Sequence, residues 1–418
     1  MTPDVISLLI LLFVLIAFIT RIIPVSIVAL IGCALCVLTG LIEPNAIFSS
    51  FVSNGVTLVM GMMVVGAAMF HSGLAYRISH LFLKITGTTE RGIVLATLLI
   101  STLMSAIMNN VGVVVTLMPI IMGMCRAAKV NYSRVLYPLA CGSMMGGMLS
   151  LVGTTTNPIA SNFLTDLGIP GFQFFDTAYI GLPLCIVGLA YFYFFGSKLL
   201  PNIVVDIQTE EEGEAFQENK RSMIICGIVV AAVVVVMAIN PSWMPLHIAA
   251  IVGGLIMVLT KCVTEKQFWA SLDWTTISMA GGMGVISGAV MSAGGGKLIA
   301  NFVVDVLGEA PNPYVICTII FLIVGIMTQF LSNVGAVSLM APIGIFIAQG
   351  LNINPFAMTM IVAVAANASY MTPIGANAYT VIYEPGGYKF SDFLRPGLGL
   401  FLINMVLAIA IVPMVWSF

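Results

Sequence analysis

The sequence predicts an all-α polytopic membrane protein built as two inverted five-span repeats, each with a re-entrant helical hairpin and one broken helix. Three observations carry this. The 418 residues are 60% hydrophobic and only 8% charged, where a soluble domain has about 25% charge. Apolar runs of roughly 16–22 residues recur from end to end, the length a helix needs to cross about 30 Å of hydrocarbon. And the stretch MNNVGVVVTLMPI at 108–120 returns as LSNVGAVSLMAPI at 331–343, with Asn110 and Asn333 at the same place in each.

The first repeat, 1–205, is expected to hold spans at 4–20, 24–41 and 55–74, a hairpin at 92–127, a broken span at 134–165 and a span at 178–200. The opening apolar run has no basic leader or small-residue cleavage site, so it reads as a retained span. DIQTEEEGEAFQENKR, 206–221, is the polar linker. The second repeat, 222–418, follows with spans at 222–239, 245–261 and 275–293, a hairpin at 314–349, a broken span at 355–383 and a span at 395–416. LAYRISHLFLKITGTTER, 74–91, is amphipathic and basic and fits along an interface. Gly284 and Gly288 have the spacing of close helix packing. Trp243, Trp269, Trp274 and Trp416 fall near span ends, as interfacial anchors do. The eight scattered cysteines and the dense methionines read as packing residues, with no disulfide framework or zinc site.

Loop charge sets the sidedness. If loops alternate sides, one side collects Arg21, Arg77, Lys84, Arg91, Arg126, Lys129, Arg134, Lys198, Lys220, Arg221, Lys261, Lys266, Lys389 and Arg395, and the other has Lys297 alone. The first side is therefore cytoplasmic, and both termini of this plasma (inner) membrane protein face outward. Five spans plus a returning hairpin make an odd number of crossings, so the second repeat is upside-down relative to the first. Hairpin 92–127 enters from the cytoplasm and hairpin 314–349 from outside. Two full spans in place of each hairpin would leave the charge pattern unchanged, so charge does not decide that point.

Asn110 and Asn333 need partners or a wet cavity at membrane depth. Each hairpin is followed by a second irregular stretch, LVGTTTNP at 151–158 and YMTPIGANA at 370–378. Four breaks in an inverted frame suggest a secondary transporter with its site at the repeat interface. Half-helix N-termini suit an anion, and free carbonyls with Asn, Ser and Thr oxygens suit a small hard cation. No Asp, Glu, Lys or Arg falls in mid-span, with Asp273 and Glu384 at span ends. Proton relays usually keep an ionisable group there, so a metal cation is the simpler coupling ion. A channel lining and a nucleophile–base or HExxH set are both missing, and a net charge of −2 gives no reason for a nucleic-acid partner.

The paired motifs, with TPIGANAYTVIYEPGGYKFSDFLRPG at 372–397, resemble the divalent anion/Na⁺ symporter family, the dicarboxylate and sulfate carriers of the ion transporter superfamily. The resemblance covers nearly the whole chain. It implies Na⁺-coupled symport of a small divalent organic anion of C4-dicarboxylate type by an elevator movement, in a homodimer within the lipid bilayer. Sulfate or another inorganic oxyanion is the alternative cargo, and sodium-independent exchange the alternative mode.

The family's hairpin tips carry Ser-Asn-Thr; here they are Asn109-Asn110-Val111 and Ser332-Asn333-Val334. Its broken turns map to Gly153-Thr154-Thr155-Thr156-Asn157 and to Gly375-Ala376-Asn377. The substrate set implied is Asn109, Asn110, Val111, Thr154, Thr155, Ser332, Asn333, Val334, Ala376 and Asn377. The Na⁺ set is Ser105, Asn110 and the Gly153 carbonyl, then Thr328, Asn333 and the Gly375 carbonyl. Ser105 and Thr328 stand four residues before the tips, one helical turn away. The chain departs from the family in Val111 and Val334, where hydroxyls are expected, and in Tyr379, where the second turn lacks its asparagine.

Overall fold

The computed structural model describes residues 2–20, 22–83, 89–203, 220–299, 301 and 312–417. Arg21, Lys84 and most of the 206–221 linker lie outside them, as does the 84–88 part of the amphipathic segment. Among the described residues there is no strand. The first repeat runs α1 (Pro3–Thr20), α2 (Val25–Leu38), α3 (Asn54–His71), α4 (Leu74–Leu83), α5 (Glu90–Ser105), α6 (Asn110–Ala128), α7 (Leu136–Gly146), α8 (Thr156–Asp166) and α9 (Ala178–Leu199). The second runs α10 (Lys220–Ile239), α11 (Leu246–Leu259), α12 (Glu265–Ser271), α13 (Trp274–Ser292), α14 (Pro313–Met327), α15 (Asn333–Gly350), α16 (Pro355–Ala366), α17 (Asn377–Tyr383) and α18 (Leu394–Val415).

The outer helices are apolar all round, as spans with one face in lipid must be. In α1, Ile10, Val14 and Phe18 are buried, while Leu9, Leu12, Phe13 and Ile16 point outward. In α18, Leu400, Asn404 and Ala408 are inside and Leu398, Leu402 and Val406 outside. The broken spans lie at the centre instead. Every residue of α7 is buried, as is every residue of α16 from Ala357 to Ala366.

Packing follows the repeat. α2 packs on α13 of the other half, and α11 on α3 of the other half. α8 lies against α15 and α16, and α17 against α6 and α7. Each half therefore completes the other, as a pseudo-twofold demands. Pro119 and Pro342 sit inside α6 and α15 at matching positions, each the same distance along its helix from the tip asparagine.

The hairpins are re-entrant, which loop charge had left open. At 19 and 18 residues, α6 and α15 are long enough to cross a membrane. Yet both begin at tips that touch the mid-helix breaks between α7 and α8 and between α16 and α17, so each starts beside the middle of another span and not beside its end. The breaks are held by side chains that take over lost backbone partners. Ser150 Oγ accepts from the amides of Val152 (3.3 Å) and Gly153 (3.1 Å). Asn157 Nδ2 donates to the carbonyls of Gly147 (3.2 Å) and Ser150 (3.1 Å). In the second half the buried Gln329 donates to the Gly325 and Ala368 carbonyls, both at 2.8 Å, and accepts from the Met371 amide at 2.9 Å.

Close packing by glycine occurs, but not at the expected pair. A Cβ on Gly284 would meet Ser50, whereas Gly288 has nothing within 4 Å and is exposed. The pair that matters is Gly142 and Gly146 on α7, where α5 passes so near that a Cβ would stand 2.7 Å from the Leu98 carbonyl and 2.1 Å from the Thr102 carbonyl. Backbone cannot yield there. Gly146→Val should therefore destabilise the detergent-solubilised protein by more than about 2 kcal/mol, toward the upper end of overpacking costs, seen as a lowered thermal midpoint. An unchanged midpoint would mean that α5 is free to move away from α7.

Candidate functional site

The two tips and two breaks converge on one cavity of about 420 Å³. Its walls include all ten residues of the expected substrate set: Asn109, Asn110, Val111, Thr154, Thr155, Ser332, Asn333, Val334, Ala376 and Asn377. These positions stand at the starts of α6, α8, α15 and α17, so four helix N-termini face the same space. Two are capped by their own tips: Asn109 Oδ1 accepts from the Val111 amide at 3.1 Å, and Ser332 Oγ from the Gly335 amide at 3.1 Å. The other two, at Thr155 and Ala376, have no side-chain cap. Their amides are left for whatever enters.

Behind each tip asparagine lies a knot of oxygens. One terminal atom of the Asn110 carboxamide is 2.9 Å from Ser105 Oγ, 3.1 Å from the Gly153 carbonyl and 3.2 Å from the Ser143 carbonyl. The corresponding atom of Asn333 is 3.0 Å from Thr328 Oγ1, 2.9 Å from Ser369 Oγ, 2.9 Å from the Gly375 carbonyl and 3.2 Å from the Ala366 carbonyl. An amide nitrogen in that position donates to its neighbours. An amide oxygen there faces only oxygens, an arrangement stabilised by a cation among them. Ser105, Gly153 and Thr328 are fully or nearly fully buried, and Gly375 is buried beside them. A Cβ on Gly153 would meet the Ser105 carbonyl at 2.4 Å, and one on Gly375 the Thr328 carbonyl at 2.7 Å. Only glycine lets either break reach its tip.

The expected cation set is thus brought together in both halves, with one correction to how. Sequence spacing suggested a contact along one helical turn. In the structure α5 ends at Ser105 and Asn110 opens the next helix, so the hydroxyl and carboxamide meet across the tip between two helices. Thr328 meets Asn333 in the same way after the last residue of α14.

Several residues were missed from sequence. Ser143 and Ala366 contribute only backbone carbonyls, which carry no side-chain signal. They are related by the same offset as Asn110 and Asn333, and that shared register could have pointed to them. Asp273, Thr275, Thr276 and Met279 of α13, with Ile23, Pro24 and Val25 before α2, form the opposite wall. Asp273 is the one ionisable side chain on the cavity wall among the described residues. Its carboxylate caps α13, accepting from the Thr275 and Thr276 amides and from Thr276 Oγ1. Tyr379, which replaces the asparagine of the resembling family, does not face the cavity. It is fully buried, stacks on Tyr137 at 5.7 Å and lies 3.4 Å from Cys141 Sγ.

All eight native cysteines are free and buried, which makes single introduced thiols readable. Val111→Cys and Val334→Cys should react with a small water-soluble maleimide, while Ser105→Cys should resist. Equal labelling of all three would mean that the cavity wall is not where the geometry puts it.

Comparison with known proteins bears on this arrangement. The family model described as citrate transporter, CitMHS, matches residues 13–350 and again 234–418. An uncharacterized transporter of Synechocystis sp. is 21% identical over 95% of this chain and 94% of its own. One of Haemophilus influenzae is 24% identical over 97% of this chain and 90% of its own. The crystal structure of the Alcanivorax borkumensis YdaH transporter, described as having an unusual topology, shares the fold with a TM-score of 0.56 at 13% identity, covering 90% of each chain.

Proposed function

The chain belongs to the citrate transporter family CitMHS and is a membrane transporter; we propose that it carries a small di- or tricarboxylate together with sodium. The observation that carries this is the pairing of two oxygen knots with one cavity whose ionisable wall residue is an acid. A multivalent anion entering there meets helix N-termini and hydroxyls, but no Lys, Arg or His among the described wall residues. Cations held behind Asn110 and Asn333 supply the missing positive charge. At about 5 Å and an effective dielectric of about 20, each cation–anion charge pair is worth roughly 3 kcal/mol. Neutral oxygens hold a hard monovalent ion without a protonatable group, which favours sodium over protons as coupling ion. The family's description as citrate transporters supports a carboxylate cargo over sulfate.

Movement follows from the two walls. One is built by the hairpins and broken helices, and the other by α13 and the entry to α2. Sliding the first past the second carries cavity and ions together, an elevator. By the positive-inside assignment, Ile23–Val25 and Asp273–Thr276 belong to the cytoplasmic ends of α2 and α13, so this state opens inward and both termini lie outside.

The test is uptake of labelled citrate, succinate and sulfate into proteoliposomes with and without an inward Na⁺ gradient. Gradient-driven accumulation of a carboxylate is expected. Uptake that ignores sodium, or exchange driven only by preloaded anion, would overturn the coupling. In the same assay Asn110→Ala and Asn333→Ala each remove one ligand from a cation. With a charged hydrogen-bonding group worth about 1.5–3 kcal/mol, half-maximal sodium should rise by roughly ten- to a hundredfold, and unchanged sodium dependence in both would remove the assignment. Val111→Thr with Val334→Thr restores two hydroxyls on the cavity wall. KM for succinate should fall by about tenfold on the same scale, and an unaltered substrate preference would show that these valines do not meet the cargo.

A further inference from the structure

Asn367 is fully buried at the end of α16, and the function proposed above gives it no role. It follows Ala366, whose carbonyl belongs to the second oxygen knot. Its side chain crosses into the first repeat. Nδ2 lies 2.6 Å from Thr156 Oγ1 and 3.2 Å from Asn157 Oδ1, while Oδ1 accepts from Thr154 Oγ1 at 3.2 Å. Thr154 in turn follows Gly153, whose carbonyl belongs to the first knot.

The two knots are therefore joined by a short polar strut, running from the Gly153 carbonyl through Thr154 and a hydrogen bond to Asn367 and the Ala366 carbonyl. Thr156 and Asn157 are fully buried, and Thr154 is nine-tenths or more buried at the edge of the cavity. The strut breaks the pseudo-symmetry. In the register that relates Asn110 to Asn333, the position matching Asn367 in the first repeat is Met144. Its sulfur lies 3.0 Å from the Asn110 carboxamide. The contact that returns from the first half is of another kind: the buried Tyr137 hydroxyl donates to the Tyr370 carbonyl of the second break at 2.8 Å, away from the carbonyls of either knot. A side-chain bridge with its ends one residue from carbonyls of both knots is more than the breaks need for backbone pairing, which Ser150, Asn157 and Gln329 already provide.

We propose that Asn367 is a positioning residue that couples the two cation sites, so that filling one orders the carbonyl the other needs. This rests on the sodium reading above. A cation drawing on the Gly153 carbonyl fixes the peptide that carries Thr154. The Thr154 hydroxyl then holds Asn367, and with it the Ala366–Asn367 peptide, whose carbonyl also accepts from Thr328 Oγ1 at 2.7 Å in the second knot. Linkage makes the effect reciprocal. Sodium binding is then cooperative through a packed, two-ended element rather than through charge, since two like charges by themselves oppose each other.

The test reads steepness, not rate. Sodium binding to the citrate-free purified protein is followed by tryptophan fluorescence, and separately by the thermal midpoint, as sodium rises at constant ionic strength. The wild type should give a Hill coefficient well above one. Asn367→Ala should bring it to about one, with the same plateau reached at higher sodium. Thr154→Val, which removes the donor to Asn367 and serves if Asn367→Ala fails to fold, should flatten the citrate-free sodium curve in the same way, and Thr154→Ser should restore the steep one; citrate affinity is no readout for these two variants, since Thr154 also lines the cavity. A steep wild type with equally steep Asn367→Ala and Thr154→Val curves would overturn the strut while leaving sodium coupling in place. A wild-type curve with a coefficient of one would also overturn it. A wild type with no sodium dependence at all would remove the function proposed above and the strut with it.

Discussion

Backbone interrupted inside a bilayer has no water to pair with, and this constraint shapes the rest of the molecule. Four helices start at mid-depth, and each interruption costs several kcal/mol for every polar group left alone. The chain meets that cost with neutral side chains placed within a few residues of each break: Ser150 and Asn157 in one half, Gln329 and Thr372 in the other. The carbonyls of Ser143, Gly153, Ala366 and Gly375 lie beside the two tip asparagines. That of Ser143 also accepts from the Gly147 amide, and that of Ala366 from Thr328 Oγ1. Helix breakage and the polar lining of the tips are thus one feature.

The packing serves the same end. Centring the broken spans keeps irregular backbone away from lipid, and the outer helices carry the apolar surface that faces it. Glycines on α7 let α5 approach to backbone contact, and Gly153 lets the break reach Ser105. The site is therefore held by rigid elements on both sides of each tip, as a dipole-built site requires, because dipoles act at full strength only when they are already aimed at the charge they stabilise.

Much of this was legible in the sequence. The spans announced themselves through apolar length, and the repeat through the frame shared by Asn110 and Asn333, Ser105 and Thr328 standing in that frame too. The ten wall residues were implied by the family resemblance, on the two tip motifs and on the two irregular stretches at 151–158 and 370–378. Less visible were contributions made by backbone alone, such as Ser143 and Ala366, because a carbonyl belongs to every residue. The α13 wall was hidden for another reason: Asp273 looked like an ordinary span-end acid, and only tertiary packing sets it against the tips. Tyr379 illustrates the converse, a position aligned with a site motif whose ring turns into the α7 interface. The helix-turn spacing for Ser105 failed because a turn intervenes, which periodicity does not register.

The proposed function makes cation and anion depend on one another, and the most direct measurement is equilibrium binding of citrate to the purified protein in sodium and in choline at equal ionic strength. Citrate binding that is strong in sodium and at least tenfold weaker in choline, about 1.4 kcal/mol or more, is the result expected if the oxygen knots hold the balancing charge. Equal affinity in the two salts would contradict it, since the anion would then be held without the cations proposed to sit among the oxygens of the hairpins and broken helices, α5–α8 and α14–α17.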